Sequence, residues 1–161
     1  MTYAIPSLME PGTNLEIVVE ANVTERKPHR PVIKIPFEFP FQDAVVSTQV
    51  NGYDIHEMLG TKMRALFQRR RGRDLFDLYW ALTRAKPAVV PAEIIKSFQH
   101  YLKLEGSVAG RAEFTALLDA HLADRGFGSD MDPLLRAGIT YDSQEAGTYV
   151  KTKLLTLLPG R

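Results

Sequence analysis

The hydrophobic period of this chain changes once, at Gly52, and that change constrains the fold more than any other feature. Before it, the clearest pattern is apolar residues at every second position over ten residues. Leu15, Ile17, Val19, Ala21 and Val23 alternate with Glu16, Val18, Glu20, Asn22 and Thr24, which predicts a strand with one buried face and one mostly polar face. Residues 31–39 (PVIKIPFEF) read as a short extended segment that Pro36 confines to a sheet edge. Residues 44–50 give another strand, closed by the Asn51-Gly52 turn signal. The first dozen residues, with Pro6, Pro11 and Gly12, read as irregular, and residues 26–30 as a turn.

After Gly52 the period is helical. Ile55, Met58, Leu59, Met63, Leu66 and Phe67 form one stripe of a helix running to about Arg70. A second helix runs from Asp74 to about Arg84, with Leu75, Leu78, Tyr79 and Leu82 inward. Pro91 suits the first turn of a third. A fourth covers about Arg111 to Arg125, and a last one about Gln144 to Leu158, before Pro159. The fold class is therefore α+β: a small sheet piece of two or three strands in residues 1–52, then a bundle of about five helices in residues 53–161. So few strands make a marginal sheet unless something covers or extends it, and the chain reads as the back half of a larger unit.

Composition removes several function classes. With no cysteine among 161 residues, disulfide scaffolds, zinc-thiolate sites and thiol catalysis are excluded. No run approaches the length of a membrane span and the N-terminus lacks the basic start of a signal peptide, so a soluble, cytoplasmic protein is expected. A net charge of +1 gives no strong overall field. The positive charge is instead local: Lys62, Arg64, Arg69, Arg70, Arg71 and Arg73 fall within twelve positions that hold no acid.

Several of these positions could carry chemistry. Lys62 lies on the apolar stripe of its helix. Its stem could cover the core while the ammonium reaches water, or it could point into a cleft and meet a phosphate. Asp74 and Asp77 share a helix face, with Arg73 four residues before Asp77 in ion-pair spacing. Asp74, just after Gly72, also suits an N-cap or first-turn acid. The Arg69–Arg73 run is either a solvated interhelix turn or a phosphate contact, for which the guanidinium fork is well shaped. Glu20 stands mid-strand on the polar face, where a metal enzyme places a ligand or base and where a solvated sheet also places an acid. His29, His56, His100 and His121 have no metal-site spacing, and His121 reads as a satisfied core residue. Tyr79 and Trp80 read as core, and neither a Walker A loop nor a Gly-x-Gly-x-x-Gly turn is present.

Taken in order, these pieces resemble a known family. The run from Leu59 to Leu78 (LGTKMRALFQRRRGRDLFDL) is similar to the C-terminal motif of AbiEii/AbiGii-type nucleotidyltransferases, in which a helical lysine precedes an Arg-Asp-x-x-Asp helix. Residues 18–26 (VVEANVTER) resemble that family's preceding strand, an acid followed by Asn-x-x-Glu, and residues 132–158 are compatible with its closing helices.

The resemblance implies a remnant of a polymerase-β-like core and transfer of a nucleotidyl group from a nucleoside triphosphate (NTP) with Mg²⁺. In some members the acceptor is the end of a tRNA. It implies that Lys62 meets the triphosphate. Asp77, or alternatively Asp74, orients Lys62 or the acceptor, and Arg73, with Arg69 and Arg70, touches phosphate or locks the helix pair. Glu20 matches the third, metal-side carboxylate. A cognate antitoxin is the implied partner. The family's Gly-Gly/Ser turn and Asp-x-Asp strand are not found before Glu20. Asp130-x-Asp132 has the spelling but lies far downstream in a Gly/Pro-rich loop. The expectation is thus a C-terminal part, silent by itself, whose missing N-terminal half is a further partner. Lys62 and Asp77 should meet Glu20 in one cleft, beside an exposed apolar patch and an open strand edge. The alternatives are a non-catalytic helical module that binds RNA or protein through Arg69–Arg73, and a homodimer that covers the sheet edge.

Overall fold

Two antiparallel hairpins precede six helices in a computed structural model that describes residues 1–7, 9, 11–19 and 27–160. Strand β1 (Thr2–Pro6) pairs with β2 (Asn14–Val18), placing Tyr3 opposite Ile17 and Ile5 opposite Leu15. The opening residues are therefore a strand and not irregular, because their own alternation supplies apolar cross-strand partners for β2. The rest of the alternating run, including Glu20, lies outside the described residues.

Strand β3 (Ile33–Phe41) pairs with β4 (Ala44–Gly52) through a two-residue turn, Gln42-Asp43, in which Gln42 takes φ 53°. Asn51 and Gly52 do not turn the chain; they pair with Lys34 and Ile33 at the open end of this ribbon. The hairpins form two separate sheets.

The sheet residues do not have the buried face their alternation predicts. All residues of β1 and β2 are exposed, and of β3 and β4 only Phe39 and Gly52 are even partly covered. The reason is architectural: a two-stranded ribbon buries a face only when a second layer packs on it, and the helices pack on one another.

The core is helical. Helix α1 (Ile55–Gln68) is capped by Asp54, whose carboxylate accepts from His56 N–H at 2.9 Å, and it buries Leu59, Met63 and Leu66. Helix α2 (Gly72–Arg84) buries Leu75 and Leu78, and α3 (Pro91–Leu104) buries Ile94, Ile95, Phe98 and Leu102. The predicted fourth helix is α4 (Arg111–Leu122), which stops three residues early; an unpredicted short α5 (Arg125–Ser129) follows, started by the Asp124 side chain, which accepts from Phe127 N–H. Helix α6 (Ser143–Lys153) is capped by Asp142 and ends in a 3₁₀ turn before Pro159. All six helices place residues in one buried cluster, α5 through Phe127 alone, and that cluster contains no strand residue. Among the described residues, no helix is long and apolar enough to cross a membrane.

Candidate functional site

The site is built on the turn between α1 and α2. Arg69, the C-cap of α1, and Arg71, the N-cap of α2, are both extended, so the chain reverses within three residues and lays α2 along α1. Gly72 permits the reversal at close quarters: a Cβ there would land on the Phe127 carbonyl oxygen of α5. Arg73 N–H donates to Asp130 Oδ2 at 3.2 Å, tying the start of α2 to the end of α5.

One turn into α2, Asp74 is fully buried. Arg69 grips it with both arms of its fork, Nε to Oδ2 at 2.8 Å and Nη2 to Oδ1 at 3.0 Å. Lys62 Nζ, on the facing side of α1, lies 3.5 Å from Asp74 Oδ1 and 2.8 Å from Asp77 Oδ2. A buried carboxylate needs partners of this kind, because unpaired charge in the interior is heavily penalised. The hydrogen bond to Asp74 raises the Arg69 pKa above its ordinary value, against the opposing effect of burial. Lys62 and Asp77 differ from this locked pair. Their side chains keep 36% and 40% of their exposure, so the ammonium can exchange one oxygen partner for another from solution.

Beside the Lys62–Asp77 pair opens a groove of about 280 Å³ between α1 and α2, lined by Ile55, Met58, Leu59, Trp80 and Ala81. Trp80 is half-buried, stacked on Phe76 with centroids 5.4 Å apart, and Arg84 lies over its ring at 4.5 Å. It is neither a core residue nor a free stacking platform.

The structure thus brings Lys62, Arg69, Asp74 and Asp77 together and distributes the remaining arginines elsewhere. Arg73 does not pair with Asp77 as its spacing predicts, because Lys62 takes that carboxylate. Arg70 pairs with Asp124 at the start of α5, and this hydrogen bond lowers the Asp124 pKa. Arg71 and Arg73 are exposed at the turn. Of the arginine run, two members are therefore engaged by acids, and the surface it offers to a phosphate backbone is correspondingly small. Glu20, the expected third carboxylate, lies outside the described residues.

One contributor, Glu57, was not legible in sequence. Glu57, one turn before Gly60 on α1, is fully buried and accepts from the backbone N–H groups of His29 (2.9 Å) and Arg30 (3.2 Å) and from the Tyr101 hydroxyl (2.5 Å). Burial, reinforced by that carboxylate, pushes the Tyr101 hydroxyl well above its usual range. Glu57 anchors the segment entering β3 onto the α1–α3 pair, five residues ahead of Lys62. The one available signal was Gly60, whose missing side chain lets α1 approach Ser97 and Phe98 of α3. His121 is buried against Phe127 as expected of a core residue, but its Nδ1 has no partner among the described residues, so it is not satisfied.

These residues do not form a cation site. Among the described residues no three His, Asp or Glu side chains gather as metal ligands. Both Asp74 oxygens are held by Arg69 and Lys62, and Asp77 Oδ2 is held by Lys62. A divalent ion needs several free carboxylate or carbonyl oxygens, and this donor set is neutralised by protein cations.

Comparison with known proteins gives one family. Residues 1–148 match the family described as nucleotidyl transferase AbiEii toxin, type IV TA system. No curated protein and no solved structure matches the chain.

Proposed function

The chain belongs to the AbiEii nucleotidyl transferase toxin family of type IV toxin–antitoxin systems, and from that premise we propose that its α1–α2 turn forms the phosphate-facing wall of a nucleotidyl-transfer site. The observation that carries this reading is the convergence of Lys62, Asp74 and Asp77 across two helices, with Arg69 closing the set. Transfer from a triphosphate depends on positioning and on neutralising phosphate charge. Lys62 is suited to this because its more exposed partner, Asp77, can be replaced by a phosphate oxygen at little cost, as surface ion pairs are weak. Asp74, buried and doubly held by Arg69, acts as a positioning residue that fixes the height of the Lys62 ammonium. Asp77 is the acid that faces substrate, and orients either Lys62 or the acceptor hydroxyl. Arg73 and Arg71 remain for the phosphates, while Arg69 and Arg70 hold the turn.

The carboxylates that would carry a magnesium ion in such an enzyme are not supplied by the described residues, and Glu20 is the candidate this chain adds. The remaining metal-side carboxylates, in the reading we adopt, come from an Asp-x-Asp strand outside this sequence, in polypeptide that packs on residues 1–52. The exposed apolar hairpins support that reading. Residues 53–161 act as the helical domain, and the isolated chain binds nucleotide without turnover. An RNA end such as that of tRNA is the acceptor, and the cognate antitoxin is the regulating partner.

Calorimetric titration of the purified chain with each nucleoside triphosphate, with and without Mg²⁺, tests this directly. Binding should be weak, and at least tenfold weaker in Lys62→Ala. Equal binding by the two proteins would remove Lys62 from the site.

A further inference from the structure

We propose that the free edge of β4 is a self-association surface, through which two copies of the chain join their β3–β4 ribbons into one four-stranded antiparallel sheet about a two-fold axis at Thr48. The inference is independent of nucleotidyl transfer. The two edges of the ribbon differ.

A two-residue turn makes Phe41 and Ala44 a hydrogen-bonded pair, after which bonded and non-bonded pairs alternate along the ladder. Pro36 and Pro40 therefore occupy positions whose nitrogens face away from β4, the only positions in the ladder a proline can take without losing a bond. They remove alternate donors from the outer edge of β3 and stand their rings against any incoming strand. By the same parity, Val45, Ser47, Gln49 and Asn51 turn their backbone N–H and C=O groups outward along β4. From Ala44 to Gly52 there is neither a proline nor a charged residue. Native sheet edges are ordinarily guarded by such residues. Among the described residues, one edge is guarded and the other is open.

The ribbon's faces fix what can pair there. Ile33, Ile35, Phe37 and Phe41 share one face with Val46 and Val50, and all six are exposed, Phe37 at 49%. An added strand must continue this face, so pairing must bring the even-numbered residues of β4 opposite residues of the same face; a one-residue slip would set Val46 against the polar side. A second copy meets the condition with Thr48 opposite itself. Val46 then lies opposite the copy's Val50, Ser47 opposite its Gln49, and Val45 opposite its Asn51. The outward donors and acceptors of both strands fall into bonded pairs, and no like charges meet. Pro36 and Pro40 lie on the two outer strands of the new sheet and stop further addition, so the contact is isologous and closed.

The test is sedimentation or light scattering of the full chain over a wide concentration range. The expected result is a reversible dimer at twice the chain mass. Ser47→Pro, at an outward position like those of Pro36 and Pro40, should leave the helical circular dichroism unchanged and raise the dimer dissociation constant at least tenfold. Ser47→Lys should do the same by adding charge to the edge. Pro36→Val, which reopens the β3 edge, should convert dimers into larger species. A chain that stays monomeric at every concentration overturns the proposal, and so does a dimer indifferent to both Ser47 variants.

Discussion

Asp74 and Asp77 are three residues apart on one helix, yet burial separates their roles. Asp74 has lost all contact with solvent and holds two cations, whereas Asp77 shares Lys62 at the surface. Removing one partner of a buried pair leaves the others uncompensated, which commonly costs several kcal/mol. Because Arg69 and Lys62 both reach water, Asp74→Ala is expected to cost about 2 kcal/mol, less than a wholly buried pair. Asp77→Ala should change stability by less than about 0.5 kcal/mol. Urea denaturation midpoints of the two variants check this, and equal shifts would contradict the division of roles. His121 provides a second residue-scale expectation. Burial, with Arg70 nearby, depresses its pKa, while Asp124 opposes the shift. The folded state therefore binds this proton less readily than the unfolded chain. Stability should fall as pH drops through the unfolded histidine value of about 6.5, and level off below the folded one. His121→Phe should flatten thermal stability across that window; an unchanged pH slope would exclude His121 as its source.

At the scale of elements, the decisive feature is how tightly α1, α2 and α5 meet. Gly72 starts α2 where no side chain fits: a Cβ there would collide with the Phe127 carbonyl and lie 3.1 Å from Asp130 Cβ. The obstacle is backbone, which gives way less easily than a flexible side chain. Gly72→Ala should therefore destabilise by about 1–3 kcal/mol, even though alanine is the better helix former. It should also weaken nucleotide binding by tilting Asp74 away from Lys62. Thermal unfolding and the same calorimetric titration measure the two effects, and a neutral or stabilising substitution would show that α5 yields. The periodic stripes of α1, α2 and α3 were legible because each faces the common core at helical spacing. The break between α4 and α5 was not, since Ala123 and Asp124 interrupt no apolar pattern and the new cap is visible only in the Asp124 to Phe127 hydrogen bond.

Across the whole molecule, the proposed site and most of the exposed apolar surface sit in different halves. The helices complete a core of their own, with Leu66, Leu75, Phe98, Phe114 and Val150 fully buried. The hairpins carry an equally regular pattern of apolar residues and bury almost none of it. A face such as Ile35, Phe37, Val46 and Val50 costs hydrophobic free energy for as long as water covers it. The unguarded β4 edge is why self-association is expected of this chain, while the uncovered face is where the polypeptide proposed to supply the remaining carboxylates would pack. The Glu57 anchor on His29 and Arg30 keeps the β3–β4 ribbon attached to the helix that carries Lys62, so what docks on the hairpins can bear on the site.

What the amino-acid sequence determined by itself was whatever depends on local periodicity and residue chemistry. It separated strands from helices at Gly52, placed Pro91 in the first turn of the third helix, and singled out Lys62 as a cation on an apolar stripe. Alternation also located β2, and the extended readings of residues 31–39 and 44–50 located β3 and β4, but alternation records only that a face is suited to burial. Whether a second layer exists to bury it depends on contacts distant in sequence, and here the described residues provide none. The same limit applies to the site. The spacing of Arg73 and Asp77 permits an ion pair, but Lys62 reaches Asp77 from another helix and takes its place. Only the packing of α2 on α1 and α5 decided which aspartate lies beneath the surface, which arginines are engaged, and that Glu57 holds two backbone amides far from it in sequence. Those choices turn on distance and desolvation between elements, which no local pattern encodes.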